Sequence, residues 1–171
     1  MRLITALGVG LALALSGCSL EQDVASNPQS GPSVGSAAPS VSAITTDGRR
    51  FQMEAQRGHV VVVDFFASWC GPCRRQQPEL NALAARYGSK GVVLVGVDVR
   101  EGETQMRSYL RDNAVPYPAV HDGDGSIAAA FDVLAPPTTV IVDASGKVAA
   151  TYLGGVRSDQ VARIIDRLRG A

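Results

Sequence analysis

The hydrophobic pattern changes period several times along the chain, and each change marks an element. Residues 60–66, Val-Val-Val-Val-Asp-Phe-Phe, form a run of β-branched and aromatic side chains broken only by Asp64. Such a run predicts a central strand covered on both faces. Residues 92–97 read as a second buried strand and residues 117–121 as a shorter third. Elsewhere the spacing is helical. Residues 72–87 carry Leu80, Leu83, Ala84 and Tyr87 at such intervals, with Pro72 in the first turn, Gly88 at the end and Pro78 inside, where a kink is expected. Residues 103–113 and 126–131 predict two more helices.

Two hairpins frame this alternation. Residues 41–45 and 50–53 flank the turn signal Asp47-Gly48, and residues 138–142 and 148–153 flank Ala144-Ser145-Gly146. A last amphipathic helix, 158–168, turns Val161, Ile164, Ile165 and Leu168 inward. Together these elements predict an α/β fold, a central mixed sheet flanked by helices and preceded by a β-hairpin.

The first 37 residues do not share the pattern. Arg2 precedes an almost wholly apolar stretch, 3–15, shorter than the ~20 residues of a spanning helix and suited to a secretory signal. Leu15-Ser16-Gly17-Cys18 resembles the bacterial lipobox, in which the signal is cut before the cysteine and its thiol takes a lipid. An ordinary cleaved signal is the alternative. Residues after Cys18, up to 37, are rich in Ser, Gly, Pro, Asn and Gln and read as a flexible tether. The expected organisation is a signal peptide (1–17), a lipidated Cys18 with its tether (18–37) and one domain (38–171). That places the domain on the outer face of the bacterial cytoplasmic membrane.

Composition narrows the partners. The 171 residues carry 16 basic and 16 acidic side chains, so neither nucleic acid nor an acidic surface is a general partner, and a monomer is expected. His59 and His121 fall at predicted strand ends, away from the cysteines in sequence, and a zinc site needs about four ligands. Asp122-Gly123-Asp124-Gly125 lacks the third acid and closing Glu of a calcium loop and reads as a turn. Arg74 and Arg75 read as a solvated helix face. No metal and no cofactor are expected.

Of the three cysteines, Cys18 is spoken for, and Cys70 and Cys73 remain. So short a loop restricts the unfolded chain little, which points the pair to redox or metal chemistry rather than to a structural staple. Trp69-Cys70-Gly71-Pro72-Cys73 lies at a strand-to-helix junction, placing Cys70 at a helix N-terminus and Cys73 one turn in. Unpaired N–H groups and the helix dipole favour a Cys70 thiolate, below the ~8.5 of free cysteine. Cys70 is therefore the expected nucleophile and Cys73 the thiol that resolves a mixed disulfide. Asp64, six residues before Cys70, is either the base that takes the Cys73 proton or a carboxyl that hydrogen-bonds at the strand end.

Asp64-Phe65-Phe66-Ala67-Ser68-Trp69-Cys70-Gly71-Pro72-Cys73, with the later Pro78, resembles the thioredoxin active-site segment. Pro136-Pro137-Thr138 and the strand after it, Gly146-Lys147-Val148 and Leu153-Gly154-Gly155 resemble that family's cis-proline loop, final hairpin and groove glycine. The resemblance spans about residues 38–169. The added helix and strand between about 101 and 121, with the lipid anchor, resemble the membrane-tethered TlpA/ResA-like branch.

The resemblance implies a thioredoxin-like fold and a thiol-disulfide oxidoreductase in which Asp64 is the base and Pro137 the cis-proline. Trp69, Gly71, Pro72, Pro136, Pro137 and Gly154 would form a shallow groove for a partner's disulfide. Expected partners are disulfide-bearing exported proteins, such as the haem-binding cysteines of apocytochrome c, and a membrane thiol-disulfide electron donor or acceptor. The opposite direction, an oxidase or isomerase of secreted proteins, uses the same residues; a non-catalytic binding lipoprotein fits the cysteine pair less well. Two positions depart from the branch. Gln76 stands where a Glu is common, leaving Asp64 more of the proton handling. Pro136 removes a backbone N–H that relatives offer to a bound peptide, so looser, more carbonyl-dependent docking is expected.

Overall fold

The computed structural model describes residues 31–170; the segment expected to be a signal peptide, Cys18 and most of the expected tether lie outside them. The elements run β1 (Ser42–Ile44), β2 (Arg50–Gln52), β3 (Val60–Phe66), α1 (Gly71–Tyr87), β4 (Val92–Val99), α2 (Glu103–Asp112), β5 (Ala119–Asp122), α3 (Ser126–Ala130), β6 (Thr138–Val142), β7 (Val148–Leu153) and α4 (Ser158–Arg169). The β1–β2 hairpin forms its own two-stranded sheet, and the other five strands are ordered β5-β4-β3-β6-β7. Strands β3, β4 and β5 are parallel, while β6 and β7 are antiparallel to their neighbours. The mixed sheet follows from the connections: parallel strands need helical crossovers, and the tight turn at Gly146 permits only an antiparallel return.

β3 lies at the centre, and all seven of its residues are buried. Its alternation sorts the core into two layers. Val60 and Val62 pack with Leu80, Leu83 and Tyr87 of α1 and with Val161 and Ile165 of α4. Val61, Val63 and Phe65 pack on the other face with Met106 and Tyr109 of α2, Phe131, and Phe51 of the hairpin. Asp64 follows the register of Val60 and Val62, so it is directed to the α1 face. Gly96 has a packing reason: a Cβ there would stand 2.8 Å from the Phe66 ring, which crosses β4 to stack on Tyr109 at 4.7 Å between centroids. That stack fastens the inserted helix α2 to the central strand.

Two boundaries differ from the sequence reading in ways that matter. β4 runs two residues past Val97 and delivers Asp98, fully buried, to the end of the sheet that bears the cysteines. The segment read as tether up to residue 37 is laid along β7. Gly35 N donates to Val148 O at 2.8 Å, Val148 N to Ser36 O at 2.9 Å, and Thr151 Oγ1 to Pro32 O at 2.9 Å. An edge strand leaves a row of N–H and C=O groups unpaired, and this strap satisfies both of those of Val148.

Candidate active site

Cys70 is the N-cap of α1, and Cys73 stands one turn in; their sulfurs are bonded at 2.02 Å with Cα atoms 5.3 Å apart. Pro72 occupies the first turn, where a missing N–H costs nothing. Cys73 N donates to Cys70 Sγ at 3.1 Å, so the sulfur takes one of the unpaired helix-end donors, the interaction that favours a thiolate once the bond is reduced. Cys73 is fully buried and Cys70 nearly so.

Asp64 sits behind this pair in β3. Its Oδ1 accepts from Gln76 Nε2 at 2.8 Å and, more weakly, from Thr139 Oγ1 at 3.5 Å, while its buried Oδ2 meets no donor among the described residues. Burial pushes the carboxyl up to about 7, against the hydrogen bonds from Thr139 and Gln76 that lower it. A carboxyl with one free oxygen that titrates near neutrality is able to take and return a proton.

The register of the sheet brings the proline loop to the same end. Phe65 pairs with Thr138, which sets Pro137 level with Phe66 and close to the strand-to-helix junction. The Pro136-Pro137 peptide is cis. Pro137 is buried and Pro136 half-buried. Pro137 O accepts from Gly154 N at 2.9 Å, tying the loop to the end of β7. Gly154 has φ +88° with open space where a Cβ would stand, so its requirement is conformational rather than steric. Gly71 and Gly154 are half-buried and Pro72 is exposed. Trp69 is 59% exposed and Leu134, two residues before Pro136, is 62% exposed. Both are large apolar side chains left in water on the loops that carry the disulfide and the cis-proline.

The Redoxin family profile matches residues 33–165. The chain belongs to the Redoxin family. This redoxin is 36% identical over 178 residues to the thiol:disulfide interchange protein DsbE homolog of Paracoccus denitrificans, covering 100% of this chain and 94% of that one. It is 30% identical over 129 residues to the thiol-disulfide oxidoreductase ResA of Bacillus subtilis, covering 75% and 72%. The crystal structure of a thioredoxin-family thiol:disulfide interchange protein from Chlorobium tepidum superposes with a TM-score of 0.71 at 28% identity, over 80% of this chain and 97% of that one. The fold is thioredoxin-like, with a mixed sheet, flanking helices and a separate two-stranded N-terminal sheet. With its Cys70–Cys73 disulfide, the redoxin is a thiol-disulfide oxidoreductase.

Several polar residues of the redoxin site escape sequence reasoning. Gln76, noted only as a departure, is a buried bridge: its amide donates to Asp64 and its Oε1 accepts from Val156 N at 3.0 Å, joining α1 to the segment after Gly154. Gln77, also buried, donates to Tyr117 Oη at 2.8 Å and accepts from Tyr109 Oη at 3.1 Å, which docks the insertion on α1. Arg74 is exposed, yet its Nη1 donates to the Ser68 carbonyl. With Ser68, Gln105, Tyr109 and Asn113 it lines a cleft of about 460 Å³ between α1 and α2. The two histidines lie at opposite ends of the parallel strands, His59 against Gly91 O and His121 against Asp98. Asp122 accepts from the N–H groups of Ile127 and Ala128, so the Asp122–Gly125 turn starts α3.

Proposed function

We propose that this redoxin reduces disulfides of exported proteins, with the haem-binding cysteines of apocytochrome c as the leading substrate class, and that it works tethered by a lipid on Cys18 outside the cytoplasmic membrane. The observation that carries the reading is the Cys70–Cys73 disulfide at the N-terminus of α1, backed by an Asp64 that titrates near neutral pH. The kinship with ResA and DsbE proteins and the secretory-type N-terminus support the direction and the compartment.

In the reductive cycle the Cys70 thiolate attacks one sulfur of a partner disulfide, forming a mixed disulfide and expelling the other sulfur as a thiolate. Ionised Asp64 takes the Cys73 proton. Cys73 then attacks Cys70 Sγ and expels the second partner sulfur as a thiolate; with the proton returned by Asp64 and one from solvent the partner leaves as a dithiol, and two electrons have passed to it while the Cys70–Cys73 bond forms. A membrane dithiol returns the pair to its reduced state. The groove floor of Pro136, Pro137 and Gly154, with Trp69, Gly71 and Pro72 opposite, receives the partner segment, and Trp69 with Leu134 offers it apolar contact. Because Pro136 has no N–H, the segment relies on the loop's carbonyls, of which Pro137 O already serves Gly154.

The test is the reduction potential of the purified full-length chain, joined to trapping by Cys73→Ser in cells. A potential near thioredoxin's, about −270 mV, with apocytochromes or a membrane dithiol protein trapped, bears the proposal out. A potential near about −120 mV with many secreted proteins trapped reverses the direction of flow.

A further inference from the structure

The loop after β4 touches both halves of the redox site. Glu101 accepts from Ser68 N at 2.6 Å, and its other oxygen accepts from the Ser68 hydroxyl. Ser68 stands two residues before Cys70. The neighbouring Arg100, at φ +57° in the left-handed region that a non-glycine residue rarely enters, donates from its backbone N to Asp122 O at 3.1 Å. Its Nη1 donates to Leu134 O at 3.3 Å, two residues before Pro136. One pair of adjacent residues thus reaches the loop bearing the nucleophile and the loop bearing the cis-proline. Its backbone conformation is of the costly kind that collects at functional sites.

Close to Glu101 lies Asp98, which is fully buried. Asp98 Oδ2 stands 3.1 Å from His121 Nδ1, and Oδ1 meets no donor among the described residues. Two carboxylates offer each other only acceptors, so one proton between them is required. Burial, then the hydrogen bond and charge of Glu101, push Asp98 up to about 9. Burial works against ionised Glu101, but hydrogen bonds from Asp98 and Ser68 hold its carboxyl below the usual range. Glu101, the lower of the two, is left negative to receive both Ser68 donors.

We propose that Glu101 is a positioning residue for disulfide exchange: with Arg100 it clamps the Ser68-Trp69-Cys70 loop and the Leu134–Pro137 loop at the spacing a peptide disulfide needs. The inference rests on the disulfide-exchange reading and is indifferent to the direction of electron flow. Other titratable and charged groups around the pair are His121 and Asp122 on β5, Arg74 on α1, Arg100 beside it and Tyr109 on α2. None of these donates to Asp98 Oδ1.

Two rates separate positioning from the reactivity of the thiol itself. Exchange with a peptide disulfide needs both loops, whereas alkylation of reduced Cys70 by iodoacetamide needs only its thiolate. In the full-length chain, Glu101→Ala is expected to slow exchange roughly tenfold, the loss of a charge-assisted hydrogen bond, while alkylation stays within about twofold. Glu101→Gln, which still accepts from Ser68 N, restores most of the exchange rate at pH 7. Ser68→Ala, which keeps the fold's backbone bond and loses one donor, gives an intermediate loss. Equal losses in both rates, or a wild-type exchange rate in Glu101→Ala and Ser68→Ala, would each overturn the proposal.

Discussion

Two buried acids flank the disulfide, and their surroundings differ in one respect. Asp64 on β3 is alone among neutral partners, Gln76 and Thr139, with one oxygen free. Asp98 on β4 faces another carboxyl, Glu101, and a histidine. Desolvation raises both, to about 7 and about 9. The lone acid crosses its titration where proton transfer is useful, while the paired one keeps its proton through neutral pH. The same side chain at the same end of one sheet is suited to different work according to what stands beside it.

Removing the carrier has the largest expected effect. Asp64→Asn should slow resolution of the mixed disulfide by about a hundredfold at pH 7, seen as a covalent intermediate that accumulates in quenched-flow gels. The same variant should be more stable than the wild type at pH 8, by up to roughly 4 kcal/mol, and equal to it at pH 4, in urea unfolding of the oxidised protein. The sign follows from an Asp64 carboxyl raised from 3.8 to about 7: the fold accommodates the neutral form, so that contribution is whole below pH 4 and lost as pH rises through 7. Equal stability of the two proteins at pH 8 would remove the desolvated acid from the account.

A smaller change turns the first site into a copy of the second. Gln76→Glu replaces the amide that donates to Asp64 with a carboxyl, so the two must share a proton as Asp98 and Glu101 do. The pH–rate profile of exchange should move to higher pH by at least about one unit, with the neutral-pH rate falling accordingly. A profile that stays in place means that Asp64 does not govern the rate. Smallest is Thr139→Val, which removes the 3.5 Å hydroxyl bond and should lift the same inflection by under about one pH unit without altering the unfolding transition at pH 4.

Much of this arrangement is legible in the chain. The run 60–66 announces the central strand because a strand covered on both faces has no polar side to show, and the lone acid inside it stands out. Cys70, Cys73, Pro137 and Gly154 are readable because each is needed for backbone or sulfur chemistry that few residues supply. Asp98 is hidden for the opposite reason: a charged residue breaks the apolar pattern after Val97, although the strand continues to Val99. Glu101, Gln76 and Gln77 carry no local signal. Each looks like a solvent-facing residue until a partner 12 to 40 positions away meets it, as Asp64 meets Gln76, Ser68 meets Glu101 and Tyr117 meets Gln77.

The sequence by itself determined the strands and helices, the reactive pair and its place at a helix N-terminus, because these depend on hydrophobic period, proline and glycine geometry and the short reach between Cys70 and Cys73. Only the tertiary structure decided what stands beside each buried acid and how far each is desolvated. It laid residues 32–38 along β7 and gathered Ser68, Asp98, Glu101 and His121 at one end of the sheet. A carboxyl's ionisation is set by desolvation and by neighbours contributed from other strands, and no stretch of local sequence contains either.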